Sequence, residues 1–331
     1  MTDSKRTRSR RRTPWTDSDS ATPLQAFIDG CAERDYLHRH PTVDDTGEVG
    51  LLNSYELHRC RHCGSERIRR YGSYRNGAAR YMCNGCGRTF GVTTNTIFDN
   101  HRIPVSEWIG FLLDIMGFGS FSLTSKVNRN SDNTTRYWLD KTFLLVEGVQ
   151  RDIVLKGTVW LDETYLKVRG PDIGRRADGL EYRGVSRNQM CIGIARDGTH
   201  SVFLFEGLGK PTGKRTLELF GDHIESGSTL VHDMERAHGP LVEHLHLRSD
   251  VYNSRGLKGL PDSDNPMDPV NELCRLVKMF LRVHSGFMRD DIQGYLNLFS
   301  ILMNPPDDKY RKIEKLLDLG MTKPVLLRYR R

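Results

Sequence analysis

Two tight cysteine pairs, Cys60-Arg61-His62-Cys63 and Cys83-Asn84-Gly85-Cys86, with nineteen residues between them, constrain this chain more than any other feature. Each pair has the spacing of a knuckle that turns two thiolates toward one ion, and two knuckles complete the four-sulfur set of a structural zinc ribbon. The connector has room for a short hairpin and too little apolar material for a core, so the metal is expected to hold the segment folded. A disulfide framework is the competing use of four cysteines. Against it, the other three (Cys31, Cys191, Cys274) are scattered singly and the total is odd. The N-terminus is basic, without the apolar stretch of a signal peptide. Both observations favour zinc.

Charge points to the partner. The stretch from Arg59 to Arg80 carries Arg59, Arg61, Arg67, Arg69, Arg70, Arg75 and Arg80 against a single acid, Glu66. A metal-fixed surface of that kind seeks phosphate, with Arg67, Arg69 and Arg70 as candidate DNA contacts. The formal net charge is +7, and much of the excess lies in the first fourteen residues, where Lys5, Arg6, Arg8, Arg10, Arg11 and Arg12 face only Asp3. That tail reads as disordered. It serves either as a solubilising terminus or as an arm reaching DNA backbone by counterion release. No run of about eighteen apolar residues occurs, which predicts no membrane span, and 37% hydrophobic content suits a soluble, cytoplasmic chain.

Patterning divides the chain into a basic tail and linker over 1–56, the ribbon over 57–100, a helical module over 101–150, an α/β domain over 151–305 and a basic tail over 306–331. In the linker, Leu24 to Ile28 is a short amphipathic stretch. After the ribbon, Trp108, Phe111, Leu112 and Ile115 recur at helical spacing, predicting a helix to about Met116. Then Ser122–Val127, a turn at Asn130-Ser131-Asp132, and Asn133–Leu139 give the outline of a helix-turn-helix. Its second helix is expected to expose Asn133, Thr134, Arg136 and Lys141 while burying Trp138 and Leu139, with Arg136 a further candidate DNA contact. An ordinary pair of packed helices has the same outline.

From Gly157 the pattern changes to β-branched runs: Thr158–Val168, Met190–Ala195 and Ser201–Leu208, the last two joined by a hairpin at Arg196-Asp197-Gly198-Thr199. A helix from Thr212 and a strand, Ser228–Asp233, follow. Three consecutive strands, a helix and a returning strand are the order of an RNase H-like sheet, so the expected class is α/β, with ribbon and helical module preceding an RNase H-like domain.

Asp162 interrupts the first, central strand, where an unpartnered acid is costly, and Asp233 ends the returning strand. In this topology the two strands are neighbours, so both carboxylates are candidate ligands of a pair of Mg²⁺ or Mn²⁺ ions, hard cations that take oxygen donors. Each aspartate taken alone also reads as an ordinary strand-end residue. A third ligand comes from the long helix opening Asp268-Pro269-Val270-Asn271-Glu272. Asn271 and Lys278, seven apart, share a face, with Arg275 and Arg282 beside them, while Glu272 flanks the apolar ridge. That face also reads as simply solvated. His232, Glu235 and His238 read as water-facing, His62 as a surface residue of its knuckle, and Gly294–Phe299 as core packing.

The chain resembles insertion-sequence transposases of the ISXO-two-like type, within the wider DDE superfamily. The resemblance rests on Cys60/Cys63/Cys83/Cys86 followed by Gly87-Arg88-Thr89-Phe90, on Leu161-Asp162-Glu163-Thr164-Tyr165, on Asp233, and on Asn271 with Lys278, and it spans roughly residues 57–304. In this type the third catalytic position is Glu or Asn with Lys seven residues later, which implies an Asp162/Asp233/Asn271/Lys278 set. It further implies structural Zn²⁺, catalytic Mg²⁺ or Mn²⁺, and a nucleoid-associated enzyme that cleaves element ends and joins them to a target. The implied partner is double-stranded DNA, both terminal inverted repeats and target, bound by the ribbon and helix-turn-helix of a homodimer or larger assembly. A zinc-ribbon regulator with a decayed catalytic domain and an RNase H-like nuclease or resolvase are the alternatives.

Overall fold

The computed structural model describes residues 23–24, 27, 45–99, 105, 107–128, 130–168, 170–284 and 289–324. The basic N-terminal arm, Cys31, Ile103-Pro104 and the last seven residues lie outside them, as does most of the Leu24–Ile28 stretch.

The end of the expected linker is a helix, α1 (Asp45–Ser54). Its Leu52 is buried, and Asn53 Oδ1 accepts from the Ala79 amide at 2.7 Å. The cysteine segment forms a three-stranded antiparallel sheet, β1 (Ile68–Ser73), β2 (Ala79–Cys83) and β3 (Thr89–Phe90).

Next come α2 (Glu107–Met116), α3 (Phe121–Val127) and α4 (Asp132–Val146). Ser120 caps α3 and Ser131 caps α4, each hydroxyl accepting an amide from the first turn at 3.2 Å, so the tight turn has a capping explanation. Trp108 on α2 stacks on Trp138 of α4, ring centroids 4.6 Å apart, a contact worth about 1 kcal/mol beyond its buried area. Helix α4 runs a full two turns past the expected Leu139. The extra length buries Lys141 (1% exposed), which the sequence reading left in solvent; its ammonium donates to the Ile97 carbonyl and lies 4.7 Å from the Tyr137 ring.

The large sheet holds β4 (Thr158–Lys167), β5 (Gln189–Arg196), β6 (Ser201–Leu208), β7 (Thr229–Asp233) and β8 (Arg248–Tyr252), in the order β6-β5-β4-β7-β8. Strands β4, β5 and β6 are antiparallel neighbours, and β7 and β8 run parallel to β4, so the sheet is mixed. This is the expected order with one strand added: β8, Arg-Ser-Asp-Val-Tyr, is too polar to register as a buried run.

Both faces are covered. Val159, Leu161 and Leu230 pack with Phe220 and Leu241 under α5 (Gly213–Phe220) and α6 (Gly239–His244). Trp160, Ile192, Ile194 and Val231 turn the other way, toward a short α7 (Ser254–Leu257), the long α8 (Asp268–Val283) and α9 (Ile292–Met303). Edge strand β6 offers backbone groups that would otherwise recruit another strand. Instead Gln150 exchanges two hydrogen bonds with Phe203 and Asn304 exchanges two with Ser201, tying the helical layer to the edge.

The expected basic tail is largely a helix, α10 (Lys309–Thr322), with Ile313, Leu316 and Met321 buried. Its amphipathicity is masked by Lys309, Lys312 and Lys315, of which Lys312 is itself buried. Arg61 of the first knuckle donates to the carbonyls of Met321 and Thr322, both at 2.9 Å, which caps α10 and fastens the small sheet to the body. Among the described residues no helix is long and apolar enough to cross a membrane.

At the α4/α9 crossing, a Cβ built on Gly294 would lie 2.5 Å from the Phe143 ring. Gly294→Ala is therefore expected to destabilise the fold by about 1–3 kcal/mol through overpacking, read as a lowered urea midpoint. A midpoint equal to that of the unaltered chain would show that the helices part without cost.

Candidate metal centres

The four sulfurs of Cys60, Cys63, Cys83 and Cys86 lie within 4.8 Å of one another, with Cys60 to Cys86 at 3.7 Å and Cys63 to Cys83 at 3.6 Å. Ligands about 2.3 Å from a tetrahedral zinc stand about 3.8 Å apart, so the donor set fits that ion. Each knuckle closes through a glycine in the left-handed region, Gly64 (φ 73°) and Gly87 (φ 68°), whose amides return to the carbonyls of Cys60 and Cys83. Amides also point at sulfur, His62 to Cys60 and both Gly85 and Cys86 to Cys83. The Cys86 and Gly85 amides lower the Cys83 thiol, while burial and the neighbouring sulfurs raise that of Cys63. His62 sits outside the set, its Nε2 3.2 Å from the Thr89 carbonyl.

Arg67, Arg69 and Arg70 are exposed on or beside β1. Arg69 and Arg80 lie over Tyr71, 5.3 and 5.1 Å from its centroid. Arg59 is paired with Glu66 and Arg61 is spent on α10, so neither adds to this cationic face. Arg136, expected on a DNA-facing helix, is held between Asp140 (3.4 Å) and Asp291, because its side of α4 meets the start of α9.

The second centre lies where β7 ends beside β4. Their parallel register pairs Leu161 with His232, so the next positions, Asp162 and Asp233, are brought together. Carboxylate oxygens of Asp162, Glu163 and Asp233 all lie within 4.8 Å of one another. The Glu163 amide donates to Asp162 at 2.8 Å and the Glu235 amide to Asp233 at 2.8 Å, which fixes both side chains. Burial, with Glu163 and Asp233 adding their charge, pushes the Asp162 carboxyl up to about 7.

Helix α8 crosses this cluster. Its start is fastened to the sheet, Trp160 Nε1 donating to the Pro266 carbonyl at 2.9 Å and Arg196 to Pro269 at 3.1 Å. Cys274 Sγ lies 3.9 Å from Asp162 Oδ2, and Asn271 and Lys278, three residues before and four after Cys274, share its side of the helix. Both are half-buried, whereas Glu272 is exposed.

Behind the strands stands a group that sequence reasoning assigned to water. His238 is fully buried and its Nε2 lies 2.7 Å from Glu163 Oε1. His238 Nδ1 meets His232 Nδ1 at 3.0 Å, and His232 Nε2 meets Ser249 Oγ at 2.8 Å. Burial and the neighbouring His238 lower His232 to about 4; His238 itself is raised, the Glu163 carboxylate outweighing burial. A signal was present: His232 sits two residues after Leu230 in an alternating strand, a position that points inward. Glu163 had no role in the sequence reading beyond its place in the Leu161–Tyr165 motif.

The Asp162 shift carries a consequence for stability. The folded chain holds this proton more tightly than the unfolded chain, whose carboxyl titrates near 3.8, so stability is lost as pH rises from there through about 7. Without added divalent ion, Asp162→Asn is expected to raise the melting temperature at pH 8 and to flatten its decline between pH 5 and 8. A melting temperature at or below that of the unaltered chain at pH 8 would contradict the assigned burial cost.

No family model matches the chain. It is 26% identical over 250 residues to an uncharacterized protein in the transposable element ISH50 of Halobacterium salinarum, a match covering 73% of this chain and 84% of that protein. Solved structures brought up by comparison include the Mos1 mariner paired end complex with Mn, at 12% identity, TM-score 0.29, 66% of this chain and 76% of that one. Another is a pre-cleavage Mos1 transpososome, at 13% identity, TM-score 0.29, 69% and 80%. Similarity at that TM-score bears on neither fold nor function.

Proposed function

We propose that the chain is a DNA transposase of the Asp-Asp-Asn-Lys kind, cleaving the ends of a mobile element and joining them to a target with an RNase H-like domain. One observation carries the reading: two aspartates 71 positions apart, 162 and 233, meet across a parallel strand pair, an expensive arrangement unless a cation is bound there. The similarity to a protein of a transposable element supports the same reading.

Asp162, Asp233 and Asn271 would hold a divalent pair, Mg²⁺ or Mn²⁺, which when bound activates a water or 3′-hydroxyl and neutralises the departing oxygen of a phosphodiester. Lys278, a turn beyond Cys274 on the same side of α8, would meet a nonbridging phosphate oxygen. The cysteine set would hold Zn²⁺ and present Arg67, Arg69 and Arg70 to the phosphates of an inverted repeat. Residues 57–100 would be the ribbon, 101–150 a helix-turn-helix-like module and 151–305 the catalytic domain, with α10 as a strut rather than a tail. A homodimer or larger assembly on double-stranded DNA follows from the need to pair two ends.

Strand transfer tests the proposal. A pre-cleaved end oligonucleotide incubated with target plasmid and Mg²⁺ should give joined products; hydrolysis alone would mark a nuclease or resolvase, and neither product a DNA-binding regulator. Separately, changing Arg69 and Arg70 to alanine should weaken binding to all duplexes alike and reduce the salt slope by about one per lost phosphate contact. An unchanged slope would remove those arginines from the DNA surface.

A further inference from the structure

We propose that Glu163 is an additional carboxylate ligand of the divalent centre, held in place from behind the sheet by the buried chain His238–His232–Ser249. The inference rests on the metal reading above and deepens it.

Strand alternation sends the Glu163 side chain to the α5/α6 face, away from Asp162 and α8. Yet one of its carboxylate oxygens lies within 4.8 Å of oxygens from both Asp162 and Asp233. The cause is the unequal length of the neighbours. Strand β4 runs on to Lys167, whereas β7 stops at Asp233 and turns off through the Glu235 amide bond to Asp233. Past Asp233 no strand of the described residues continues beside β4 on that side, so nothing of β7 separates the Glu163 carboxylate from those of Asp162 and Asp233.

Its other requirement is support. Glu163 Oε1 is 2.7 Å from His238 Nε2, both side chains almost wholly buried. The Nδ1-to-Nδ1 contact between His238 and His232 needs one donor and one acceptor, and Ser249 can serve as either at the far end. With Glu163 ionised, His238 Nε2 carries a proton toward it whichever ring donates. One oxygen is thus always engaged from behind, a carboxylate braced by an imidazole as carboxylate ligands of metals are braced by outer partners.

A second buried carboxyl lies on the same face of the sheet. Glu206 is 6% exposed, and its Oε1 has no hydrogen-bond partner, while Oε2 accepts from Thr216. It lies over Gly193, the residue directly across from Glu163, where a Cβ would stand 2.2 Å from that orphaned oxygen. The missing side chain at Gly193 is what lets Glu206 lean toward Glu163. Burial and the Glu163 charge push the Glu206 carboxyl up to about 7, and a cation bound at Glu163 would offset that repulsion. His238 is accordingly a positioning residue, acting through Glu163.

The probe is Mn²⁺ alone, titrated into the full-length, zinc-loaded protein without DNA and followed by the loss of the free-ion electron paramagnetic resonance signal. Glu163→Gln should weaken binding about 10- to 100-fold and His238→Ala about tenfold, with His238→Gln, which keeps an N–H donor, recovering part of the loss. In the unaltered chain, diamagnetic Mg²⁺ should shift the His238 ring nitrogen resonances with the same midpoint as binding, a readout independent of whether any variant folds. Glu163→Gln binding Mn²⁺ like the unaltered protein, or His238 resonances that ignore Mg²⁺, overturns the inference. Asp162→Asn separates the two levels: if it loses Mn²⁺ while Glu163→Gln does not, only Glu163 falls, and if it too binds normally, the metal reading falls with it.

Discussion

Asp162→Ala is expected to abolish Mg²⁺-dependent cleavage of element-end DNA, lowering the rate by at least about 10³-fold while leaving duplex binding intact. The magnitude follows from the several kcal/mol that a correctly held cation contributes to a phosphodiester transition state, each 1.36 kcal/mol being about tenfold. The variant should not fail by unfolding, because Asp162 is a burden on the metal-free fold: its carboxyl is pushed up to about 7 by burial and by the acids beside it. Loss of activity with gained stability is the signature of a residue kept for function. Asp250, exposed on β8, is the control acid and should be replaceable without effect. Helix α8 supplies a finer contrast. Asn271→Ala should cost activity, since Asn271 shares the side of Cys274 that faces Asp162, and Glu272→Ala should leave the rate within about twofold, its side chain lying in solvent. Cleavage that survives Asp162→Ala, or that fails with Glu272→Ala and not Asn271→Ala, would sink the assignment. The assay is nicking of a supercoiled plasmid carrying the ends, quantified on gels.

What the sequence made legible was whatever repeats at a fixed period or depends on residues close together. The β-branched runs and their hairpin foretold β4 to β6, the cysteine spacing foretold the small sheet, and the topology then put Asp162 beside Asp233. Failures came where tertiary context overrides local pattern. Lys141 looked solvated because a cation normally is, but α4 continues beneath the segment after the second cysteine pair and the Ile97 carbonyl accepts a hydrogen bond from its ammonium. His232 and His238 looked like loop decoration because their partners, Ser249 and Glu163, are 17 and 75 positions away. Helix α10 was hidden by its lysines, and β8 by its polar edge composition. Glu163 is the instructive case: nothing local marks it as a neighbour of Asp233, and only where β7 ends does its carboxylate come within 4.8 Å of both aspartates.

Replacing Cys83 and Cys86 together by serine is expected to remove one zinc per chain and at least tenfold of the affinity for element-end duplex, with the large sheet still folding. Apart from its ties to α1 and α10 and the contacts of Ala78 and Val92 with the main core, the small sheet has little else to hold it. Its own cluster beyond the cysteines is Phe90, with Leu57, Ile68 and Tyr81 packed at its side, and β2 adds only the small Ala79, far less than a free-standing domain needs. A four-thiolate zinc contributes about 10–16 kcal/mol to such a fold, as much as the entire stability of an ordinary domain. Without it β1 loses its register against β2, and Arg67, Arg69 and Arg70 no longer share one rigid surface. The damage should stop there. Arg61 joins the small sheet to α10 by two hydrogen bonds to carbonyls at the helix end, whereas Ile313, Leu316 and Met321 keep α10 in the main core. Elemental analysis and fluorescence anisotropy with a labelled end duplex, alongside a urea melt of the remaining core, separate the two parts. Full zinc content in the double variant would disprove the four-thiolate site, and unchanged duplex affinity after zinc loss would move DNA recognition away from the ribbon and onto α3 and α4.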